Sequence, residues 1–211
     1  MEKLEELLRN YNLAHTDDLK ISPWSKQYCK KPFPKYWKTV FQIMKGIDRN
    51  YRVLEIGCGQ GDVTTIFCYL GFKKIESFEK LSALAVNARR RVNDLFNRTD
   101  VIFHGEFSIG QHIDCDVLVL VNCAYKDLAV SKHDYEKLMK DYYTAAGSPQ
   151  YFIMEVIDSS YTLSDEEFPE HIRLSQEDVI RMFPDFKIQS WKTYIYPENR
   201  KSKTLYLIEK K

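Results

Sequence analysis

The feature that most constrains the fold is the run VLEIGCGQGDV between Val53 and Val63. It begins as a mostly apolar, strand-like segment and then has glycines at positions 57, 59 and 61, directly before a helix-like pattern. Glycine allows positive φ and lets the backbone approach a ligand closely, because it has no Cβ atom. A helix that begins there offers unpaired N–H groups and the positive end of its dipole to an anionic group. The run therefore predicts a strand, a tight turn and a helix that fit a nucleotide-type ligand.

The rest of the chain alternates between strand-like and helix-like patterns. Predicted strands cover Arg52–Ile56, Lys74–Glu79, Val101–His104, Asp116–Asn122 and Tyr151–Ile157, and a closing hairpin covers Phe186–Tyr196 and Lys203–Glu209. The run Asp116–Val121 does not alternate in polarity, which is typical of a central parallel strand that is buried on both faces. The pattern therefore predicts an α/β fold: a doubly wound, mostly parallel seven-stranded sheet with a C-terminal antiparallel hairpin.

The length of 211 residues suits a single domain. We expect a short N-terminal helical cap or lid over residues 1–47 and a Rossmann-like core over residues 48–211. Aromatic residues of the cap interleave with lysines: Trp24, Tyr28, Phe33, Tyr36 and Trp37 with Lys26, Lys30, Lys31, Lys35 and Lys38. Such a segment can close over a ligand, meet a phosphate or stack bases, or it can be an ordinary packed helix with its lysines in water.

Two features of the glycine turn narrow the choice of ligand. A dinucleotide fingerprint needs glycine at position 62, where this chain has Asp62, and no Gly-Lys-Ser/Thr follows as a phosphate-binding loop requires. Glu79 ends the next predicted strand, 22 residues after Gly57. An acidic side chain at that position can accept hydrogen bonds from both ribose hydroxyls.

The segment Glu55–Gly61 resembles the E/D-x-G-x-G-x-G motif of class I S-adenosylmethionine-dependent methyltransferases. Glu79 matches the ribose-binding acid of that family, and Glu106 with Phe107 is similar to its adenine-framing step. The resemblance implies S-adenosyl-L-methionine as the cofactor and methyl transfer as the activity. The cofactor-binding residues that it implies are Glu55, Gly57, Cys58, Gly59, Gly61, Glu79, Lys80, Glu106, Phe107 and Asn122.

Some of these residues have a second interpretation. Glu55 can hold the turn through hydrogen bonds to loop N–H groups without touching the ligand. Cys58 is interpreted as a small packing residue and not as a reactive thiol. Phe107 can equally belong to the core. The triplet Arg89-Arg90-Arg91 is predicted to be the solvated face of a helix.

The acceptor side of the site is predicted from polar residues that follow the fourth and fifth strands. Methyl transfer from a sulfonium is a direct displacement, which depends on alignment and desolvation, and a hydroxyl acceptor usually also needs a base. Candidate catalytic residues are Asn122 and Tyr125 after strand four, Asp158 after strand five, and His171 in the long loop that follows. No set of residues with metal-ligand spacing is evident, so no metal is predicted.

Composition favours a small-molecule acceptor, with phosphorylated and aromatic compounds both compatible. The formal net charge is +1, which provides no global field for nucleic acid or an anionic membrane. No apolar run approaches the roughly 20 residues of a spanning helix, and the N-terminus lacks the apolar core of a signal peptide. Five scattered cysteines indicate reduced thiols, so a cytoplasmic protein is expected.

Two other functions are compatible with the same motifs. Asn122-Cys123-Ala124-Tyr125 has the outer residues of the N-P-P-Y pattern of adenine-N6 methyltransferases but neither proline, which argues against a nucleic-acid substrate. The chain can also bind the cofactor without catalysis, as a sensor or an inactive subunit.

Overall fold

The computed structural model describes residues 1–16, 25–123, 129–161, 168–195 and 202–211. Its helices are α1 (Glu2–Ala14), α2 (Lys35–Lys45), α3 (Thr64–Leu70), α4 (Ser82–Phe96), α5 (Lys132–Ala145) and α6 (Gln176–Met182). Its strands are β1 (Arg52–Ile56), β2 (Lys74–Glu79), β3 (Ile102–His104), β4 (Val117–Leu120), β5 (Tyr151–Asp158), β6 (Arg173–Leu174), β7 (Phe186–Ile195) and β8 (Ser202–Lys210). Short 3₁₀ helices cover Ser25–Cys29 and Glu170–Ile172. Within these ranges, no helix is long and apolar enough to cross a membrane.

The strands form one sheet in the order β3-β2-β1-β4-β5-β8-β7. The strands from β3 to β5 are parallel, and β8 runs antiparallel to both β5 and β7. The order reverses between β1 and β4, which is the switch point where ligands bind in sheets of this type. The predicted α/β fold with its antiparallel C-terminal hairpin is confirmed.

The predicted number of seven strands omits β6, which pairs parallel with the end of β5 through Ile157 and Asp158. This eighth strand has only two residues, Arg173 and Leu174. Two residues are too few to show the alternation from which a strand is predicted.

Most element ends agree with local sequence signals. Strands β1 and β2 have the predicted bounds. Gly71 ends α3 in the left-handed conformation at φ 83°, and Ser175 with Asp178 forms a reciprocal capping box at the start of α6. The sequence pattern predicts a helix from Asp62 to Leu70, whereas α3 begins two residues later, at Thr64, because residues 59–63 form turns.

Two apolar clusters cover the two faces of the sheet. Val53 and Val119 face the cluster that contains Trp37 of α2, whereas Leu54 and Leu118 face the cluster formed with α5 and α6. Neighbouring residues of β4 thus point into opposite cores, and every residue of this strand is buried. This arrangement explains why the sequence of β4 shows no polar alternation.

A buried arginine joins the N-terminal helix to the glycine turn. The guanidinium of Arg91, in α4, donates to the carboxylate of Asp62 at 2.5 Å and to the carbonyl oxygen of Gln60 at 2.9 Å. It also donates to Oδ1 of Asn12, in α1, at 2.8 Å. The hydroxyl of Ser25 donates to the second carboxylate oxygen of Asp62 at 2.6 Å. Asp62 therefore holds both α1, through Arg91, and the 3₁₀ helix at Ser25.

The prediction that the arginine triplet is a solvated helix face is wrong for its third member. Arg91 is 0% exposed, whereas Arg89 and Arg90 are exposed. An arginine can be buried only where a paired charge and hydrogen bonds compensate its lost hydration. Asp62 supplies that charge, and no local pattern in the sequence connects these two positions.

Replacing Arg91 by Met should destabilise the fold strongly, because it leaves the Asp62 carboxylate buried without its cation. We expect the free energy of unfolding in urea to fall by about 3–5 kcal/mol. Arg90→Met is the matched control, because Arg90 lies one residue earlier and its ion pair with Asp94 is exposed to solvent. Its loss should be about 0–1 kcal/mol. Equally small losses in the two variants would contradict the structural role of Arg91.

Candidate functional site

A cavity opens at the carboxyl ends of β1, β2 and β4. It encloses about 270 Å³, close to the lower end of the range of about 300–1,000 Å³ for small-molecule sites. The predicted cofactor-binding residues that line it are Glu55, Gly57, Cys58, Gly59, Glu79, Lys80, Glu106, Phe107 and Asn122. Gly61 is not part of the lining that the described residues form. The fold thus collects residues from several separate segments at the switch point between β1 and β4.

The glycine turn is tightly confined by its neighbours in the fold. Gly57 has φ 73°, and a Cβ atom on it would lie 2.5 Å from Cβ of Cys123, which follows β4. Gly61 has φ 77°, and a Cβ atom there would lie 3.2 Å from Cβ of Ala88 in α4. Glycine is therefore needed at both positions for the packing of the turn, independently of any ligand.

Cys58, between these glycines, is buried, and burial raises the pKa of its thiol well above the usual value. A thiol in this environment stays protonated at neutral pH. This is consistent with the interpretation of Cys58 as a packing residue.

Glu79 lies at the end of β2 with its carboxylate against the glycine turn. Its Oε2 accepts a hydrogen bond from the backbone N–H of Gly59 at 2.8 Å, and its Oε1 accepts one from the N–H of Leu81 at 2.8 Å. Each carboxylate oxygen can accept more than one hydrogen bond. Glu79 is thus fixed in orientation by the backbone and can still accept two hydroxyl groups from a ligand.

Glu55 joins β1 to its neighbouring elements. Its Oε2 accepts hydrogen bonds from the hydroxyls of Thr64, at 2.5 Å, and Ser77, at 2.8 Å. Burial nevertheless raises the pKa of Glu55 to about 7. Among the described residues, Glu55 thus accepts its hydrogen bonds from side-chain hydroxyls of α3 and β2. The second interpretation of Glu55 expected them to come from backbone N–H groups of the glycine loop.

Aromatic side chains form an apolar part of the cavity wall. Phe107 is 3% exposed and makes an edge contact with Phe78 at 5.6 Å between ring centroids. Phe107 therefore belongs to the core and to the cavity wall at the same time. Glu106 and Lys80 are exposed at the rim.

The four predicted catalytic residues have different locations. Asn122 lines the cavity and has a positive φ of 56°. Tyr125 lies outside the described residues. Asp158 and His171 do not line the cavity as the described residues form it. His171 lies in the 3₁₀ helix Glu170–Ile172, where its Nε2 atom is buried without a hydrogen-bond partner.

Asp158, the last residue of β5, is engaged in a polar cluster with residues of β7 and β8. Its carboxylate accepts hydrogen bonds from Ser160 at 2.6 Å, from Thr204 at 2.7 Å and from Lys192. Burial raises the pKa of Asp158, but the hydrogen bonds, that of Lys192 foremost, outweigh burial and lower it to about 2. A carboxylate with so low a pKa is a poor proton acceptor at neutral pH.

The N-terminal segment contributes one wall of the cavity. Tyr28 and Tyr36 line it, and their hydroxyl oxygens lie 2.6 Å apart. Phe33 and Trp37 pack behind them in the core, with ring centroids 5.1 Å apart. Trp24 lies outside the described residues. Lys26, Lys30, Lys31 and Lys35 are exposed, and Lys38 lies 3.6 Å from a carboxylate oxygen of Glu5.

Acidic groups predominate in the described lining. Glu55, Asp62, Glu79 and Glu106 carry carboxylates there, against the single ammonium of Lys80. Arg91 compensates the charge of Asp62. The cavity therefore favours a ligand with a net positive charge.

Two polar residues near the site have no counterpart among the predicted ones. Glu155, in β5, is buried, and Lys203, in β8, donates to Oδ1 of Asn122. Glu155 does give a sequence signal, because it is the one charged residue in the apolar run Tyr151–Ile157. Lys203 gives none, because its position depends on how β8 pairs with β5.

Comparisons with known proteins identify the fold. No protein-family model matches the chain, and no curated protein matches it. Magnesium protoporphyrin IX methyltransferase from Synechocystis matches with a TM-score of 0.63 and 12% identity, over 98% of this chain and 99% of its own. An O-methyltransferase from Bacillus cereus matches with a TM-score of 0.55 and 14% identity, over 100% and 91%. A tRNA methyltransferase from M. jannaschii matches with a TM-score of 0.56 and 12% identity, over 85% and 51%. The chain has the class I methyltransferase fold.

The raised pKa of Glu55 predicts a specific dependence of stability on pH. Its folded-state pKa of about 7 exceeds the ordinary value of 4.5, so the folded state binds this proton more tightly than the unfolded state. The resulting stabilisation is complete below the unfolded pKa and is lost as pH rises through about 7. Glu55→Gln carries no such proton, so we expect this variant to gain stability relative to the parent protein between about pH 5 and 8.

Urea unfolding at several pH values measures this difference. Glu76→Gln, at a half-buried position of the neighbouring β2, is the control for loss of a carboxylate in the same sheet. A stability difference between Glu55→Gln and the parent protein that stays constant with pH would contradict the assignment.

Proposed function

We propose that this protein is an S-adenosylmethionine-dependent methyltransferase that transfers a methyl group to an oxygen or nitrogen atom of a small molecule. The observation that carries the proposal is the position of Glu79, whose carboxylate lies 2.8 Å from the Gly59 nitrogen across the turn after β1. This pairing puts an acceptor for ribose hydroxyls beside a backbone turn that a ligand can approach closely.

The lining of the cavity fits the chemical groups of this cofactor. Phe107, with Leu81 and Leu84, supplies apolar surface for an adenine ring, and Glu79 supplies the ribose acceptor. The excess of carboxylates suits a sulfonium, whose positive charge needs stabilisation in a partly enclosed site. Among proteins of the same fold, the Synechocystis enzyme has been crystallised with bound SAH and with bound SAM.

When bound, S-adenosylmethionine supplies a methyl group on a positively charged sulfur, which makes that methyl group open to direct displacement. The residues of this chain orient the reactants and exclude water. Tyr28 and Tyr36 close one wall of the cavity and keep solvent from the end near Asn122. Asn122 contributes an amide that can orient an acceptor by hydrogen bonds.

Several observations support a small acceptor. The cavity is partly enclosed by the N-terminal segment, and its described lining carries more negative than positive charge. The exposed lysines of that segment do not line the cavity that the described residues form. A nucleic-acid substrate requires cationic groups around its phosphates. Proteins with the same fold include one named as a methyltransferase of magnesium protoporphyrin IX, a small molecule, and one named as a methyltransferase of tRNA.

The role of Glu79 can be tested by cofactor binding. Glu79→Ala removes the ribose acceptor and frees the backbone N–H groups of Gly59 and Leu81, so binding of S-adenosylhomocysteine should weaken by about 1.5–3 kcal/mol. Glu76→Ala, three residues earlier on the same strand, is the matched control and should bind like the parent protein. Calorimetric titration measures both affinities. Unchanged affinity in a folded Glu79→Ala variant would contradict the assignment.

The proposed activity can be tested without a known acceptor. The protein is incubated with S-adenosylmethionine labelled in its methyl group, together with either a metabolite extract or total RNA. We expect label in the small-molecule fraction. Label in RNA alone would favour a nucleic-acid methyltransferase, and binding of the cofactor without transfer to either fraction would favour a sensor.

A further inference from the structure

A buried carboxylate lies close to the cavity without being used by the proposed function. The side chain of Glu155 is 0% exposed. Its Oε1 accepts a hydrogen bond from the hydroxyl of Thr193 at 2.6 Å, whereas its Oε2 has no hydrogen-bond partner. The ammonium of Lys203 lies 3.9 Å from Oε2. A buried charge of this kind is costly unless a partner compensates it.

Lys203 connects this carboxylate to the lining of the cavity. Its side chain is only 11% exposed. Its ammonium donates to Oδ1 of Asn122, and it lies 6.0 Å from the centroid of the Phe168 ring. The position of Lys203 follows from its pairing opposite Ile157 in the antiparallel β5–β8 ladder. Lys203 thus fixes the side-chain amide of Asn122. The backbone of Asn122 already has an unusual, left-handed conformation.

The hydrogen bonds continue from Asn122 into the N-terminal wall. Asn122 is hydrogen-bonded to Tyr36, whose hydroxyl pairs with that of Tyr28 at 2.6 Å. Only one of the two hydroxyl hydrogens can lie between these two oxygens, so the other is available to a ligand in the cavity. Burial raises the pKa of Tyr28 and Tyr36 well above the usual value, so both keep their hydrogens at neutral pH.

We propose that Tyr28, Tyr36 and Asn122 form the acceptor subsite of the cavity, and that the Lys203–Glu155 pair positions Asn122 within it. This inference rests on the proposed methyltransferase function. The charge of Lys203 is balanced by Glu155, so the subsite presents neutral hydrogen-bonding groups next to an acidic lining. It therefore takes an acceptor that presents an uncharged hydroxyl or amine, and it excludes a carboxylate or a phosphate.

Variants of the charge pair test the positioning role. Lys203→Met leaves Glu155 buried without a cation, so the double variant Lys203→Met/Glu155→Gln, which removes both charges, is the principal probe. We expect it to bind S-adenosylhomocysteine with nearly the parent affinity, because neither residue lines the cavity that the described residues form, and Asn122 is the one predicted cofactor-binding residue in contact with Lys203, whereas the ribose acceptor Glu79 is unchanged. Its turnover at saturating cofactor should fall by about 10- to 100-fold, since the acceptor is no longer aligned. Lys203→Arg keeps a cation and a donor, and it should retain more turnover than the double variant.

Lys187→Met is the matched control, because Lys187 is an exposed lysine on β7 whose ion pair with Glu209 lies on the surface. All variants are assayed with the same metabolite extract and labelled cofactor, and mass spectrometry locates the methyl group in the product. A label on an ether oxygen or an amine nitrogen is expected. Parent-like turnover in the double variant, or a label on a carboxylate or phosphate oxygen, would overturn the inference. An absence of transfer by the parent protein itself would instead contradict the proposed function on which the inference rests.

Discussion

The close approach of the glycine turn to the segment after β4 is the constraint on which the site depends. A side chain at Gly57 would bring its Cβ atom 2.5 Å from Cβ of Cys123, so β1 and β4 can lie side by side at the switch point only with glycine there. The turn is also held to the end of β2, where the N–H groups of Gly57 and Cys58 donate to the carbonyl oxygen of Phe78 and the N–H of Gly59 donates to Glu79. The cavity is therefore a direct consequence of how tightly three parallel strands meet at their carboxyl ends.

Buried charges tie the peripheral elements to this centre. Asp62, which occupies the position of the third glycine in a dinucleotide fingerprint, binds Arg91 in α4 and Ser25 in the N-terminal segment. The indole N–H of Trp37 donates to the backbone carbonyl of Asp62 at 2.8 Å. One residue thus connects the turn to α1, through Arg91, and to α2. We therefore expect a change in the turn to alter the position of the wall that Tyr28 and Tyr36 form.

Sequence reasoning succeeded where the signal is local. The bounds of β1 and β2, the left-handed cap at Gly71 and the capping box at Ser175 all follow from residue types within a few positions of each other. The fold class also follows, because each strand–helix pair shows its own periodicity.

Sequence reasoning failed where a contact joins distant segments of the chain. The burial of Arg91 depends on Asp62 and on Asn12, which is 79 residues away. Asp158 accepts hydrogen bonds from Lys192 of β7 and Thr204 of β8, and these two depend on the register of the sheet. Its third hydrogen bond comes from the nearby Ser160 and is local. Lys203 reaches Asn122 across 81 residues. Such pairings are set by tertiary packing, and no spacing rule in a single sequence encodes them.

The central claim is that the cavity holds S-adenosylmethionine with its ribose on Glu79. A crystal structure of the protein with S-adenosylhomocysteine tests it most directly. The account predicts both ribose hydroxyls within hydrogen-bond distance of the Glu79 carboxylate, adenine against Phe107, and the sulfur atom at the end of the cavity near Asn122. A ligand bound elsewhere, or in this cavity with its ribose away from Glu79, would contradict it.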